Sequence, residues 1–157
     1  MVSFSRSMLV GVEKMSDERV VLHGILEDNL YAMEVDVEVT RPGYEIVSIS
    51  GRMKRYTTSQ CPRATGVLKE AVGMKLNDPG LASRINKEIG RQGCRHYAEL
   101  ILECLDTFVA AEPATARKAL QGSGIEMAEE AFREHWAGRC SLSRDRCRAY
   151  REQTPGK

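Results

Sequence analysis

The sequence predicts an α+β fold: an antiparallel β-meander of three to four strands, followed by helices packed on one face of the sheet. Two patterns carry this prediction. The first third of the chain has apolar residues at every second position, which is typical of strands with one buried face. The middle of the chain has apolar residues at helical spacing. Strands that come first and helices that follow favour an α+β fold over alternating βαβ units.

The strand pattern is clearest from Tyr31 to Thr40, where apolar residues alternate strictly with acidic and hydroxyl residues. Weaker runs around Val10 and Leu22 predict two earlier strands, and a run from Ile46 to Met53 predicts a later one. The links between these runs are short, as at the turn signal that follows Thr40. Short links favour antiparallel pairing, because parallel strands need long crossovers.

Four helices are predicted after the strands. The first begins at Cys61, with Pro62 at its first turn, and ends at Gly73. The second follows the cap signal Asn77-Asp78-Pro79 and ends at Gly90. The third begins near Cys94 and is interrupted by Pro113, and the fourth runs from Ile125 to Trp136.

Composition predicts one domain over residues 1–137 and a basic C-terminal tail over residues 138–157. Lys and Arg together number 23 and Asp and Glu 22, so the balance gives no global attraction to nucleic acid or membranes. We expect a cytoplasmic protein, since the start of the chain lacks the apolar run of a signal peptide. Its five cysteines would then be reduced, and their odd number also argues against a disulfide framework.

Two cysteines form the main candidate site. Cys61 and Cys94 each lie where a loop is predicted to become a helix. Free backbone N–H groups and the helix dipole stabilise a thiolate at such a position, and thiolate is the form that binds metals and attacks electrophiles. The alternative is that each is a small apolar residue at a helix entry. If the two helices pack side by side, the two thiols approach each other.

His96 and Asp28 are the candidates to complete this site. In a regular helix, His96 would point almost opposite Cys94, so the two share a site only if Cys94 precedes the helix. The alternative for His96 is a solvent-facing side chain in the first turn. Asp28 lies between two predicted strands, where its alternative role is that of a hairpin turn residue.

The segment from Leu26 to Ala111 resembles the NifU/IscU-type iron–sulfur scaffold domain in the order of its acidic residue, strands and two helix-start cysteines. The motifs Cys61-Pro62 and Gly93-Cys94-Arg95-His96 more closely resemble an uncharacterised bacterial domain-of-unknown-function family. The scaffold resemblance implies that Cys61 and Cys94 match the second and third ligand cysteines and Asp28 the acidic residue. No cysteine precedes Cys61, and His96 follows its cysteine rather than preceding it, so cluster assembly is put in doubt.

The function expected from these observations is a small metal-binding or iron–sulfur-handling module without catalytic activity. It would hold zinc or an iron–sulfur cluster through Cys61, Cys94, His96 and Asp28. A second hypothesis is a protein-interaction or accessory protein with structural cysteines. A third is a thiol enzyme with Cys94 as nucleophile and His96 as base. A protein partner fits the first two hypotheses, and the sequence leaves the oligomeric state open.

Overall fold

A computed structural model describes residues 1–122 and, beyond them, residues 124, 128 and 131. The chain divides into two compact units, Met1–Thr107 and Phe108–Lys157. The predicted helix from Ile125 to Trp136 and the predicted tail over residues 138–157 lie outside the described residues, apart from isolated positions. The predicted domain boundary at residue 137 lies there too and stays a prediction.

The first unit contains an antiparallel sheet, and the α+β prediction is confirmed. In the described part of the chain, four strands lie in the order β1-β2-β3-β4, each paired with its sequence neighbour. The strands are β1 (Arg6–Lys14), β2 (Arg19–Asp28), β3 (Ala32–Thr40) and β4 (Ile46–Arg55). A meander forms because each link is too short for a crossover.

One face of the sheet forms the core. Every second residue of β2 and β3 is buried, as the alternating sequence predicts. Two glycines let the helices approach this face closely. A Cβ atom on Gly24 would lie 2.6 Å from the Sγ atom of Cys104, and one on Gly51 would lie 2.6 Å from a methyl group of Leu68. Cys104 is fully buried.

The first predicted helix has a different geometry from the one expected. Residues Cys61–Ala71 form a 3₁₀ helix rather than an α-helix. Its apolar residues recur at intervals of three, as from Leu68 to Ala71, and side chains three apart align in a 3₁₀ helix. Val72, which follows the last residue of this helix, is exposed. Gly73 ends the segment with a positive φ, as expected.

The second helix begins later than the cap signal suggests. Helix α1 comprises Leu81–Arg84 and continues as a π-helix over Ile85–Arg91. The carboxylate of Asp78 accepts a hydrogen bond from the N–H of Gly80 at 2.8 Å, so it closes a turn before the helix instead of capping the helix itself. The π-helix was not predicted, because its wider turn leaves no distinct pattern in a short sequence.

Helix α2 spans Arg95–Gly122, so the prediction that Pro113 interrupts it is wrong. Proline removes one backbone hydrogen bond and bends a helix, but the helix continues where neighbouring groups compensate. The hydroxyl of Thr115 donates to the carbonyl of Ala111 at 2.9 Å in this region. Gly122 is the last described residue of this helix. Within the described residues, no helix combines the length and apolar character needed to span a membrane.

Strand β1 differs most from expectation. Its inward residues pair in register with the buried residues of β2, for example Met8 with Leu26 and Val12 with Leu22. The alternating pattern predicted one buried face, yet Met8 is 43% and Val12 is 37% exposed. Among the described residues, the helices therefore leave the β1 end of the apolar face largely uncovered.

Candidate functional site

Asp28 is the one buried charged residue among the described parts of the chain. Its carboxylate connects β1 to the turn that follows β2. One oxygen of its carboxylate accepts hydrogen bonds from the backbone N–H groups of Leu30 and Tyr31, each at 2.7 Å. The other accepts from Nε of Arg6 at 2.8 Å. Asp28 thus acts as the turn residue that the sequence suggested, and it also binds a cation from β1.

Opposing effects set the pKa of the Asp28 carboxyl. Burial raises it, whereas the N–H groups of Tyr31 and Leu30 and the guanidinium of Arg6 lower it, and the net pKa lies below the ordinary value. Asp28 is therefore an anion at neutral pH. Its charge is already compensated by Arg6, so it is not available to a metal ion unless Arg6 moves.

His96 lies in the first turn of α2 and contacts the same arginine. The guanidinium of Arg6 lies 3.1 Å from Nε2 of His96. A guanidinium only donates hydrogen bonds, so Nε2 must be the acceptor and the ring is neutral. Burial and the positive charge of Arg6 both lower the pKa of His96, in agreement with this assignment. The Tyr31 ring packs against the imidazole with centroids 4.3 Å apart.

Cys61 is connected to Tyr31 through Thr57. The Tyr31 hydroxyl is 3.1 Å from Oγ1 of Thr57, and that hydroxyl is 3.8 Å from the Cys61 sulfur. Oγ1 of Thr58 lies closer, at 3.4 Å. Hydrogen bonds from the Thr58 side chain and backbone outweigh desolvation and lower the pKa of the Cys61 thiol. Asp28, His96 and Cys61 are thus joined through Arg6, Tyr31 and Thr57.

Cys94 is the fourth of the predicted ligands. It immediately precedes α2, as sharing a site with His96 would require, and its N–H donates to the carbonyl of Ile89 at 2.9 Å. Among the described residues, the structure shows no hydrogen bond from its thiol to His96 or Cys61. The described part of the chain includes all four predicted ligands, yet no three His, Cys, Asp or Glu side chains in it converge to hold a metal. Metal binding by Cys61, Cys94, His96 and Asp28 stays a prediction.

A basic groove that the sequence did not predict lies between the π-helix and the start of α2. Its volume is about 600 Å³. Six residues line it: Ser83, Asn86, Lys87, Gly90, Arg91 and Arg95. Lys87, Arg91 and Arg95 recur at every fourth position, and this spacing could have predicted the groove. Gly90 and Gly93 lie between them and predicted the end of a helix, so the three cations were not assigned to one surface.

The carboxylate of Glu99 contacts both Arg95 of the groove and Arg6, which binds Asp28 and His96. Arg6, Asp28, His96 and Glu99 are called the polar cluster below. Glu99 accepts a hydrogen bond from Nε of Arg95 at 2.7 Å and forms an ion pair with Arg6 at 3.3 Å. Lys87 and Arg91 have no carboxylate partner among the described residues. Positive side chains four apart repel each other on a helical face. The groove therefore presents uncompensated positive charge beside a polar cluster that is internally paired.

The fold and these sites define a small α+β domain in which a meander sheet and its covering helices carry a polar cluster and a basic groove. The chain belongs to the DUF2889 family of proteins of unknown function, whose match covers residues 9–110, more than half of the chain. This confirms the resemblance to a domain-of-unknown-function family in its general form. No curated protein and no solved structure matches the chain, and the similarity to NifU/IscU scaffolds is not shown.

Proposed function

We propose that this domain is a non-catalytic accessory module that binds a phosphate-bearing small molecule in the basic groove. The observation that carries the proposal is the pair Lys87 and Arg91, two groove cations without a carboxylate partner among the described residues. An arginine fork and a lysine ammonium are the side chains that proteins use most for phosphate oxygens. A bound anion would relieve the repulsion between them.

The remaining groove residues suit the same ligand. Asn86 and Ser83 supply neutral hydrogen-bond donors, and Gly90 leaves space beside them. The start of α2 brings the positive end of a long helix to the Arg95 side. A volume of about 600 Å³ falls within the usual range for small-molecule sites. A π-helix is rare and often marks a functional site, and here it forms one wall of the groove.

Calorimetric titration with inorganic pyrophosphate tests the proposal. The wild type should bind, and the affinity should fall as salt is added, because the attraction is between exposed charges. The double variant Lys87→Ala/Arg91→Ala should weaken binding by about tenfold or more, because each charge-assisted hydrogen bond is worth roughly 1.5–3 kcal/mol. Lys69→Ala changes an exposed cation outside the groove and should bind like the wild type. Equal binding by all three proteins would contradict the proposal.

A second candidate is binding of zinc or an iron–sulfur cluster by Cys61, Cys94, His96 and Asp28. It is supported by a chain of contacts that runs from Asp28 through Arg6 to His96, and then through Tyr31 and Thr57 to Cys61. Arg6 occupies both Asp28 and His96, so its removal should expose the donors. Metal analysis of anaerobically purified protein, together with Zn²⁺ titration of the wild type and Arg6→Ala, tests this. Binding that is tighter in Arg6→Ala and lost on adding Cys61→Ser supports the site, and absence of metal from both proteins excludes it.

A further inference from the structure

Strand β1 is one of the two outer strands of the described sheet, and among the described residues its free edge lacks the usual protection. Soluble proteins protect such edges with charged residues, prolines or bulges, because an open edge pairs with other strands. The five central residues of β1, Met8 to Val12, are uncharged and contain neither proline nor a bulge. Apolar side chains are exposed on both of its faces, with Met8 inward and Leu9 outward at 66% exposure.

No contact among the described residues explains Gly11 in the middle of this strand. A Cβ atom there would meet nothing within 4 Å in the described structure, and the backbone does not have a positive φ. Gly24 and Gly51, by contrast, are required by helices that pack directly over them. A glycine inside a strand costs stability and often marks the close approach of another chain.

We propose that two copies of this chain pair through β1, antiparallel about a two-fold axis at Val10, to form one continuous sheet. In this register, Leu9 of each copy lies opposite Gly11 of the other, so a large side chain faces an empty position. Met8 lies opposite Val12 on the inner face, which joins the uncovered apolar ends of the two sheets.

Charges permit this register. It places Arg6 of one copy opposite Lys14 of the other, but each cation is already compensated in its own chain. Arg6 pairs with Asp28 and Glu99, and Lys14 pairs with Asp17. The formal net charge of +1 gives little repulsion between two copies. The proposal concerns a different surface from the basic groove and does not depend on it.

Sedimentation equilibrium tests the pairing in three variants of the full chain. Val10→Lys and Gly11→Lys should each raise the dimer dissociation constant by tenfold or more. Each lysine places a charge at the centre of the free edge, and the second would lie opposite the apolar Leu9 of the other copy. Ser50→Lys adds the same charge to β4, the outer strand at the opposite edge of the sheet, and should leave the dimer intact.

The variants should fold, which keeps the test decisive. Val10 is only partly buried, and β1 is tied to the sheet by Glu13, which lies 3.0 Å from His23 of β2. His23 in turn lies 2.7 Å from Asp36 of β3. Gly11→Lys should retain the melting temperature of the monomer, since its side chain enters open space in the described structure. A monomeric wild type, or a dimer that survives both β1 variants in folded form, would overturn the proposal.

Discussion

Arg6 is the residue on which the polar cluster depends. Its guanidinium contacts Asp28, His96 and Glu99, which come from the end of β2 and the first turns of α2. The sequence pointed to Asp28 and His96 but gave no sign of Arg6, because its partners lie up to 93 positions away along the chain. Contacts between residues so far apart in the sequence follow from how the strands and helices pack. The residue types of Asp28 and His96 indicated only what each side chain could do chemically.

Asp28→Asn should lower the free energy of unfolding by about 2 kcal/mol, since a charged acceptor is lost while the amide keeps one hydrogen bond. Because the folded-state pKa of Asp28 is lowered, its stabilising charge is present above the unfolded pKa of about 3.9. It is lost as the pH falls through the lower folded value. Urea unfolding from neutral to acidic pH should therefore show the difference between wild type and variant shrinking only below about pH 4.

Asp17→Asn is the matched control for this measurement. Asp17 is almost fully exposed and pairs with the exposed Lys14, so its change should leave the free energy of unfolding nearly unchanged. A variant at Asp28 no less stable than the one at Asp17 would show that the buried carboxylate does not hold the cluster together.

The cysteines should differ in reactivity. Thr58 lowers the pKa of Cys61, while burial raises the pKa of Cys104 to about 12. In the native protein, a maleimide reagent should modify Cys61 rapidly and Cys104 only after unfolding. Thr58→Val should slow the modification of Cys61 a few-fold by removing its main hydrogen-bond donor. Peptide mapping by mass spectrometry assigns the sites, and rapid native labelling of Cys104 would contradict the packing described.

At the scale of elements, the strands were predictable and the helices less so. Alternation on β2 and β3 determines which residues are buried, whatever covers them. The apolar spacing of three at Cys61–Ala71 fits an α-helix as well as the 3₁₀ helix that forms. The passage of α2 through Pro113 depends on local hydrogen bonds that apolar spacing does not encode. The exposure of β1 depends on how far the helices reach across the sheet, which the sequence of β1 does not specify.

The crossing of α2 over β2 at Gly24 provides a test at this scale. Gly24→Ala should destabilise the fold by about 1–3 kcal/mol, because its Cβ would lie 2.6 Å from the Cys104 sulfur. Adding Cys104→Ala should restore part of the loss, so the two changes should not be additive. Gly66→Ala, at a position with nothing within 4 Å in the described structure, is the control and should have little effect. Additive losses in thermal unfolding would contradict the close crossing.

At the scale of the whole molecule, a nearly neutral chain carries a locally positive groove. The formal charge of +1 concealed this feature, because the carboxylates that balance the total pair elsewhere, as Asp28 does with Arg6. Arg95 connects the groove to that cluster through Glu99. Glu99→Gln should therefore release Arg95 and strengthen pyrophosphate binding a few-fold in calorimetric titration. Weaker binding in this variant would show that Glu99 supports the groove rather than competing with the ligand.

The location of bound pyrophosphate would show whether the basic groove is the binding site. Backbone amide chemical shifts, followed by NMR during titration with inorganic pyrophosphate, report which segment meets the ligand. We predict saturable shifts concentrated between Ser83 and Arg95, and their loss in Lys87→Ala/Arg91→Ala. Shifts concentrated elsewhere, for example around Arg52 and Lys54 of β4, or the absence of any saturable shift, would contradict the assignment of the groove as the binding site.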